Sequence, residues 1–357
     1  DYYPTVVITA LMKIMRDPSL SAHHMAVIQA IMYIFKTLGL KCVPFLPQIM
    51  PPFLNMLQTC PSSMVEFHFS KLAQLVSIVK QHIRNYIGDI ILLIENNWSV
   101  STSVQLTIIT LVKAIAGSLD SEFKVYLPRL LPHLLQIFET DESDKRLPTL
   151  EVLIALKKFG STLEEYLHLV VPPVVRLFER ADVPVALRKA AIQTVGQLCK
   201  KVNFSDYASR IIHPLSRVLW GTNLELRQAG LDTLAALVYQ LGTDYIIFIQ
   251  MINKILVKNR ISSPRYEMLV SKLLKNEPMP QEFFIEGDDS MSDISSEEQA
   301  TSETGALKKL PVNQPKLKKA WEASQRSTKD DWIEWMRRFS LELLKESPSH
   351  ALRATNA

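Results

Sequence analysis

Apolar residues recur along this chain at two periods, one of three to four residues and one of about forty. The longer period shows first. An aromatic residue opens an apolar run, usually broken by proline, six times: Phe45 in FLPQIMPPFL, Tyr86 in YIGDIILLI, Tyr126 in YLPRLLPHLL, Tyr166 in YLHLVVPPVV, Tyr207 in YASRIIHPLS and Tyr245 in YIIFIQMINKIL. The spacings are 41, 40, 40, 41 and 38 residues, and a seventh copy, incomplete or divergent, starts near Tyr3. A fixed period of this length marks a stacked supersecondary unit.

After each run comes a short polar break, such as DPSL at 17–20, TDES at 140–143 or ADVP at 181–184. These combine proline with the Asp and Ser that favour turns and helix N-caps. Beyond the break the short period takes over. Leu187, Ala191, Val195 and Leu198 recur at three- and four-residue steps, as do Leu226, Gly230, Leu234, Leu237 and Leu241. Each set is one buried stripe on a helix.

The pattern predicts antiparallel helix pairs at 45–58 with 63–80, 86–97 with 102–118, 126–139 with 144–159, 166–180 with 184–201, 207–220 with 223–241, and 245–258 with 263–275. Gly39, Gly117, Gly160 and Gly242 are expected to end second helices in left-handed conformation. The prolines fall in or near the first turn of first helices, where a missing N–H costs little, and Pro132 is expected to bend or delay its helix. The fold class is all-α. One pair cannot bury both of its apolar faces, so the pairs stack into an α-solenoid with a continuous core.

Period and pattern resemble HEAT repeats, in which an Asp in the turn pairs with an Arg near the start of the second helix. Asp182 with Arg188 fits, and Arg227 recurs 39 residues later, but the other units lack the pair. The solenoid is expected over 1–275, as six to seven helix pairs.

Composition changes the picture at the C-terminal end. Net charge is only +4, yet residues 276–307 hold nine acidic residues and no Lys or Arg. So little apolar surface cannot offset the entropy of ordering, and 276–318 is expected to be a disordered linker, acidic and Ser-rich and then Lys-rich from Lys308. Ser290, Ser292, Ser295 and Ser296 lie among the acids as candidate phosphorylation sites for an acid-directed kinase. From Lys319 to Ala357 order is expected to resume in an amphipathic helix lined by Trp332, Trp335, Met336, Phe339 and Leu343. That helical spacing favours core packing over an exposed tryptophan hot spot. The start at Asp1 and the open helical pattern at 350–357 read as the edges of a segment of something larger.

Most catalytic chemistry lacks its residues here. No two of the ten glycines lie within five residues of each other, so no loop can bring several backbone N–H groups around a phosphate. The eight histidines form no i,i+4 pair, and Cys42, Cys60 and Cys199 have neither pairing nor metal-ligand spacing. Catalytic residues, metal ligands and cofactors are expected to be absent from this segment. The odd cysteine count without a signal peptide points to a reducing, cytoplasmic setting. No apolar run reaches the ~18–20 residues that cross a bilayer, so no transmembrane segment is expected. Lys157–Lys158 and Lys200–Lys201 sit at helix ends, where the dipole favours cations, and no aromatics interleave with them; direct nucleic-acid binding is not expected.

Four segments are more specific than the repeat: LGLKCVPFLPQIMP at 38–51, EYLHLVVPPVVRLF at 165–178, DYASRIIHPLSRVL at 206–219 and KDDWIEWMRRFSLELLKESPS at 329–349. They resemble the target of rapamycin (TOR) family of phosphatidylinositol-3-kinase-related kinases, where a HEAT solenoid runs into the FAT domain. The resemblance covers the whole chain and is weakest in the acidic linker. It implies a very large non-specific serine/threonine protein kinase in nutrient and growth signalling, whose kinase domain, with its ATP and Mg, lies outside residues 1–357. It implies as partners a second TOR protomer, Raptor-type or Rictor-type subunits and a Rheb-type GTPase. The parent would be cytoplasmic, associated with lysosomal and other endomembranes, and able to enter the nucleus. The segment itself would be a non-catalytic scaffold. The competing expectation is a free-standing HEAT adaptor of the nuclear-transport or vesicle-coat type.

Overall fold

Residues at positive φ, Gly39, Lys80, Asp120, Gly160 and Gly242, close five of the helices within residues 2–280, the part that the computed structural model describes. Fourteen α-helices result among the described residues, paired as α1 (Tyr2–Arg16) with α2 (His24–Leu38), α3 (Leu46–Thr59) with α4 (Ser62–Val79), and α5 (Ile87–Asn97) with α6 (Thr102–Leu119). There follow α7 (Leu127–Thr140) with α8 (Leu147–Phe159), α9 (Leu167–Glu179) with α10 (Val185–Leu198), α11 (Ala208–Trp220) with α12 (Leu224–Leu241), and α13 (Ile246–Lys258) with α14 (Pro264–Leu274). The fold is the expected HEAT-type α-solenoid. The divergent first unit proves to be a full pair. The stretch beyond Pro280, with Ser290, Ser292, Ser295 and Ser296 and the helix expected around Trp332 and Trp335, lies outside the described residues.

The aromatic markers have a single structural role. Phe45, Tyr86, Tyr126, Tyr166, Tyr207 and Tyr245 each close a short 3-10 turn that joins one pair to the next, immediately before a first helix begins. In three of the pairs a polar side chain caps the second helix. Ser101 Oγ accepts from the Val104 N–H at 3.2 Å, and Asn223 Oδ1 from the Leu226 N–H at 3.0 Å. Asp141 Oδ2 accepts from the Thr149 N–H at 3.1 Å and from its hydroxyl at 2.7 Å. Each cap satisfies N–H groups that have no partner within the helix.

Second helices stack on second helices, α4 on α6, α6 on α8, α10 on α12, while α1, α3 and α5, then α7, α9, α11 and α13, form the other layer. The core runs between the layers. In α7, Leu127, Leu130, Leu131, Leu134, Ile137 and Phe138 are buried on one stripe. In α12 the burial extends nearly all round, through Ala229, Gly230, Leu234, Ala235 and Leu237, because α10, α11 and α14 surround it.

Three expectations need correction. Gly117 does not end its helix: α6 continues to Leu119, and Asp120 takes the positive φ of 47°. Lys80 does the same after α4 with φ 50°, whereas Gly39, Gly160 and Gly242 hold that position as expected. Gly117 has a packing role instead, since a Cβ there would lie 3.0 Å from Cε of Lys158. Pro132 does not delay α7, which starts at Leu127 and runs through it to Thr140. Pro51, Pro52, Pro172, Pro173 and Pro214 likewise sit inside the second turns of their helices. Burial of the apolar stripe on each of these helices outweighs the ~3 kcal/mol that an interior proline costs. Third, apolar length alone would admit a bilayer in three stretches, Ser19–Thr59, Thr102–Thr140 and Leu224–Lys258. Each is divided between two helices at a positive-φ residue, Gly39, Asp120 or Gly242, and a 3-10 turn.

Candidate interaction surfaces

The Asp–Arg pair expected within a repeat is not formed. Arg180 holds Asp182 instead, Nε to Oδ1 at 3.0 Å and Nη2 to Oδ2 at 2.5 Å. Arg188 turns to the backbone, its Nε donating to the Phe178 carbonyl at 2.9 Å, and Arg227 does the same to the Gly221 carbonyl at 2.6 Å. Two arginines 39 residues apart thus satisfy carbonyls at the ends of α9 and α11 that helix geometry leaves open.

The charge ladder runs between repeats. On the first-helix layer, Glu95 accepts from Arg129, Glu139 from Arg176 at 3.2 Å, and Glu179 from Arg217. One repeat further the acid is replaced by an aromatic ring, with Nζ of Lys258 standing 4.7 Å from the centroid of Trp220. On the second-helix layer Lys113 meets Glu151 at 2.5 Å and Lys189 meets Glu225 at 3.0 Å. The connecting turns add Arg84 with Glu122 at 2.5 Å and Lys124 with Glu165. Most of these pairs are solvated and worth under ~1 kcal/mol each; their effect is to fix register between units. The signal was present in the sequence, since Glu139 and Glu179 each lie 13 residues after their marker tyrosine and Arg176 and Arg217 each lie 10 after theirs.

Side-chain bonds to backbone carbonyls join the second helices. The Thr233 hydroxyl donates to the Ile192 carbonyl at 3.1 Å, and Ser118 to the Val76 carbonyl at 3.3 Å. Gly196 makes the first possible, because a Cβ there would come within 2.8 Å of Thr233 Oγ1.

The singled-out titratable residues are structural. Cys42 and Cys199 are buried, and desolvation pushes the Cys42 thiol up to about 11 and that of Cys199 higher still, so neither is a thiolate. His68 donates through Nδ1 to the Met64 carbonyl at 3.0 Å and stacks against Phe53, leaving Nε2 buried with no partner among the described residues. Burial holds its pKa below the usual 6.5, with a smaller push in the same direction from His24. Burial also lowers Lys158, with Lys113 adding to it, and the stem of Lys201 lies against Gly160 as that of Lys158 does against Gly117. Among the described residues no three His, Cys, Asp or Glu converge on a metal position.

What faces solvent is a set of ridges. The outer side of α13 exposes Ile247 at 77% and Val257 at 79%, and the α11–α12 turn exposes Trp220 and Leu224. Such residues are available to other proteins.

An array of stacked helix pairs tied by interlocking charges is a helical-repeat solenoid, and solved structures of that class share its fold. Kap95p matches with a TM-score of 0.55 at 13% identity, covering 72% of this chain and 34% of that one. Importin beta matches at 0.52 and 16% identity, covering 76% and 36%. At these identities the likeness is one of fold alone.

Sequence comparison is more specific. The family model for the serine/threonine-protein kinase mTOR domain matches residues 1–80. Serine/threonine-protein kinase tor1 of Schizosaccharomyces pombe is 47% identical over 352 residues, 99% of this chain and 15% of its own length. TOR2 of Saccharomyces cerevisiae is 45% identical over 357 residues, 100% and 14%, and TOR of Arabidopsis thaliana is 38% identical over 375 residues, 99% and 15%. The chain belongs to the TOR family of serine/threonine-protein kinases. It spans about a seventh of the length of these relatives.

Proposed function

We propose that this chain is a non-catalytic scaffold segment of a TOR serine/threonine protein kinase, positioning partner proteins around an active site carried elsewhere in the parent. The observation that carries this reading is the near end-to-end match to one-seventh of several kinases, over a region built here as a register-locked repeat array. In that reading ATP and Mg belong to the parent's kinase domain. The ridges serve protein contacts: a second TOR protomer, Raptor-type or Rictor-type subunits, and a Rheb-type GTPase. The parent works in the cytoplasm and on lysosomal and other endomembranes. The serines at 290, 292, 295 and 296 are acceptors for an acid-directed kinase, which phosphopeptide mapping of the parent checks.

The test has two arms. Purified chain incubated with labelled ATP and a generic protein substrate should transfer no phosphate, and turnover that persists through stringent purification ends the reading. Parent kinase carrying Ile247→Glu and Val257→Glu, pulled down by an affinity tag, should lose a partner subunit while keeping its fold; unchanged subunit stoichiometry for charge substitutions along every ridge would refute the scaffold role.

A further inference from the structure

Between the ends of α9 and α11 and the start of α12 lies a cleft of about 350 Å³. That volume falls within the ~300–1,000 Å³ of ordinary ligand sites. Its apolar walls are Phe178, Pro214, Val218 and Leu226. Its charged groups are Arg188, Arg217 and Glu179, two cations against one anion.

The charges are not equally engaged. Both Nε and Nη2 of Arg217 donate to one oxygen of Glu179, so that pair is internally compensated. Arg188 is not. Its Nε is held by the Phe178 carbonyl, which fixes the plane of the guanidinium, while neither terminal nitrogen meets an acceptor among the described residues. The carboxylate that the repeat pattern would place opposite it, Asp182, is taken by both arms of Arg180. A half-buried, oriented guanidinium without its counterion therefore lines a cleft of ligand size. A planar fork of this kind prefers a carboxylate or phosphate.

The rim adds a second preference. Trp220 is 45% exposed and Leu224 76%, and they flank the turn residues Gly221, Thr222 and Asn223 that form the lip. Lys258 stands over the Trp220 ring and adds positive charge to that side. We propose that this cleft is a docking site for an acidic peptide segment of a partner protein, with one anionic side chain seated on Arg188 and a neighbouring apolar side chain packed against Trp220 and Leu224. The anion is a carboxylate or a phosphoserine phosphate, since both present the same oxygens to the fork. The docking mode is that of an extended acidic motif read by arginine and an aromatic anchor.

A display library of random peptides about twelve residues long, selected on the whole 357-residue chain, tests this. The expected consensus holds Asp or Glu next to a bulky apolar residue. A fluorescein-labelled peptide of that consensus, titrated by polarisation, should weaken by about tenfold or more when its acid becomes the amide, on Arg188→Gln, or on Trp220→Ala, and should weaken steadily with added salt. Arg129→Gln removes an exposed guanidinium of the same layer, paired with Glu95 and outside the cleft, and should leave binding unchanged. Trp220 is solvent-facing, so its variant decides the matter should Arg188→Gln lose helicity by circular dichroism. Phosphoserine in place of the acid, if it binds more tightly, assigns the source to a phosphopeptide. A selection without an acidic consensus, or a consensus peptide that binds both variants as it binds the native chain, overturns the proposal.

Discussion

Helices α12 and α13 adjoin in sequence and have opposite fates. Nine of the thirteen residues of α13, IIFIQMINKILVK, are apolar, yet Ile247 and Val257 are among the most exposed hydrophobic side chains described. Helix α12, LELRQAGLDTLAALVYQL, carries Glu, Arg, Gln and Asp and is nonetheless buried on almost every side of its middle turns. The difference lies in neighbours. Second helices are flanked by second helices before and after and covered by their own partners, so small residues such as Gly230, Ala235 and Ala236 are needed for close approach. First helices have one open face, where an apolar side chain is surface available for binding.

That contrast is tested most severely by truncating the same kind of side chain in both places. Leu234→Ala, at a position with no exposure, should cost about 2–5 kcal/mol in urea unfolding, whereas Ile247→Ala should change stability by less than ~0.5 kcal/mol. Hydrogen exchange should show the Leu234 damage spreading into α10 and α14, because repeat units are stabilised by their neighbours. Equal losses at the two sites would remove the distinction between the layers.

The turns that end second helices come next in size. Gly242 has φ 53° with nothing within 4 Å of where a Cβ would stand, so Gly242→Ala meets no clash and should cost only the backbone strain, about 1–3 kcal/mol by thermal unfolding. Asp120→Gly relieves the same strain at φ 47° and should stabilise, by about 1 kcal/mol, partly offset by added freedom in the unfolded chain. A destabilised Asp120→Gly would mean that the aspartate side chain, rather than the backbone, sets that turn.

His68 gives a smaller, pH-dependent effect. Its folded pKa lies below the unfolded 6.5, so near pH 6 the unfolded chain binds the proton more readily. Stability is therefore full above about pH 6.5 and falls as pH drops below it, until the folded imidazole is itself protonated; the slope is at most one proton, about 1.4 kcal/mol per pH unit. His68→Phe should flatten the stability profile between pH 7 and 5, and a profile unchanged by that substitution would place the titration elsewhere. Smallest of all is the ladder. A double-mutant cycle on Glu139 and Arg176, both largely exposed, should give a coupling below ~1 kcal/mol that vanishes in high salt.

How much of this was legible beforehand differs by feature. The aromatic markers and the three- and four-residue stripes located the helices almost to the residue, because a repeated unit restates its local rules at every copy. Asp182 and Arg188 misled for the complementary reason: two residues spaced for a bond can each find a better partner, here Arg180 and the Phe178 carbonyl. The Glu–Arg ladder was recoverable by superposing the repeats, but its pairing across units was not. Nothing local pointed to Gly196, whose use depends on Thr233 of the next unit.

Residue order alone is enough to specify an all-α repeat array of the TOR family, because helix periodicity, capping residues and family segments are all written within a few consecutive residues. Stacking settled the rest: which apolar faces became core, which glycines serve turns and which serve contacts, and which arginine was left facing an open cleft. Those outcomes depend on what the neighbouring repeat brings into contact, some forty residues away, and burial and pairing energies are fixed only once the units meet.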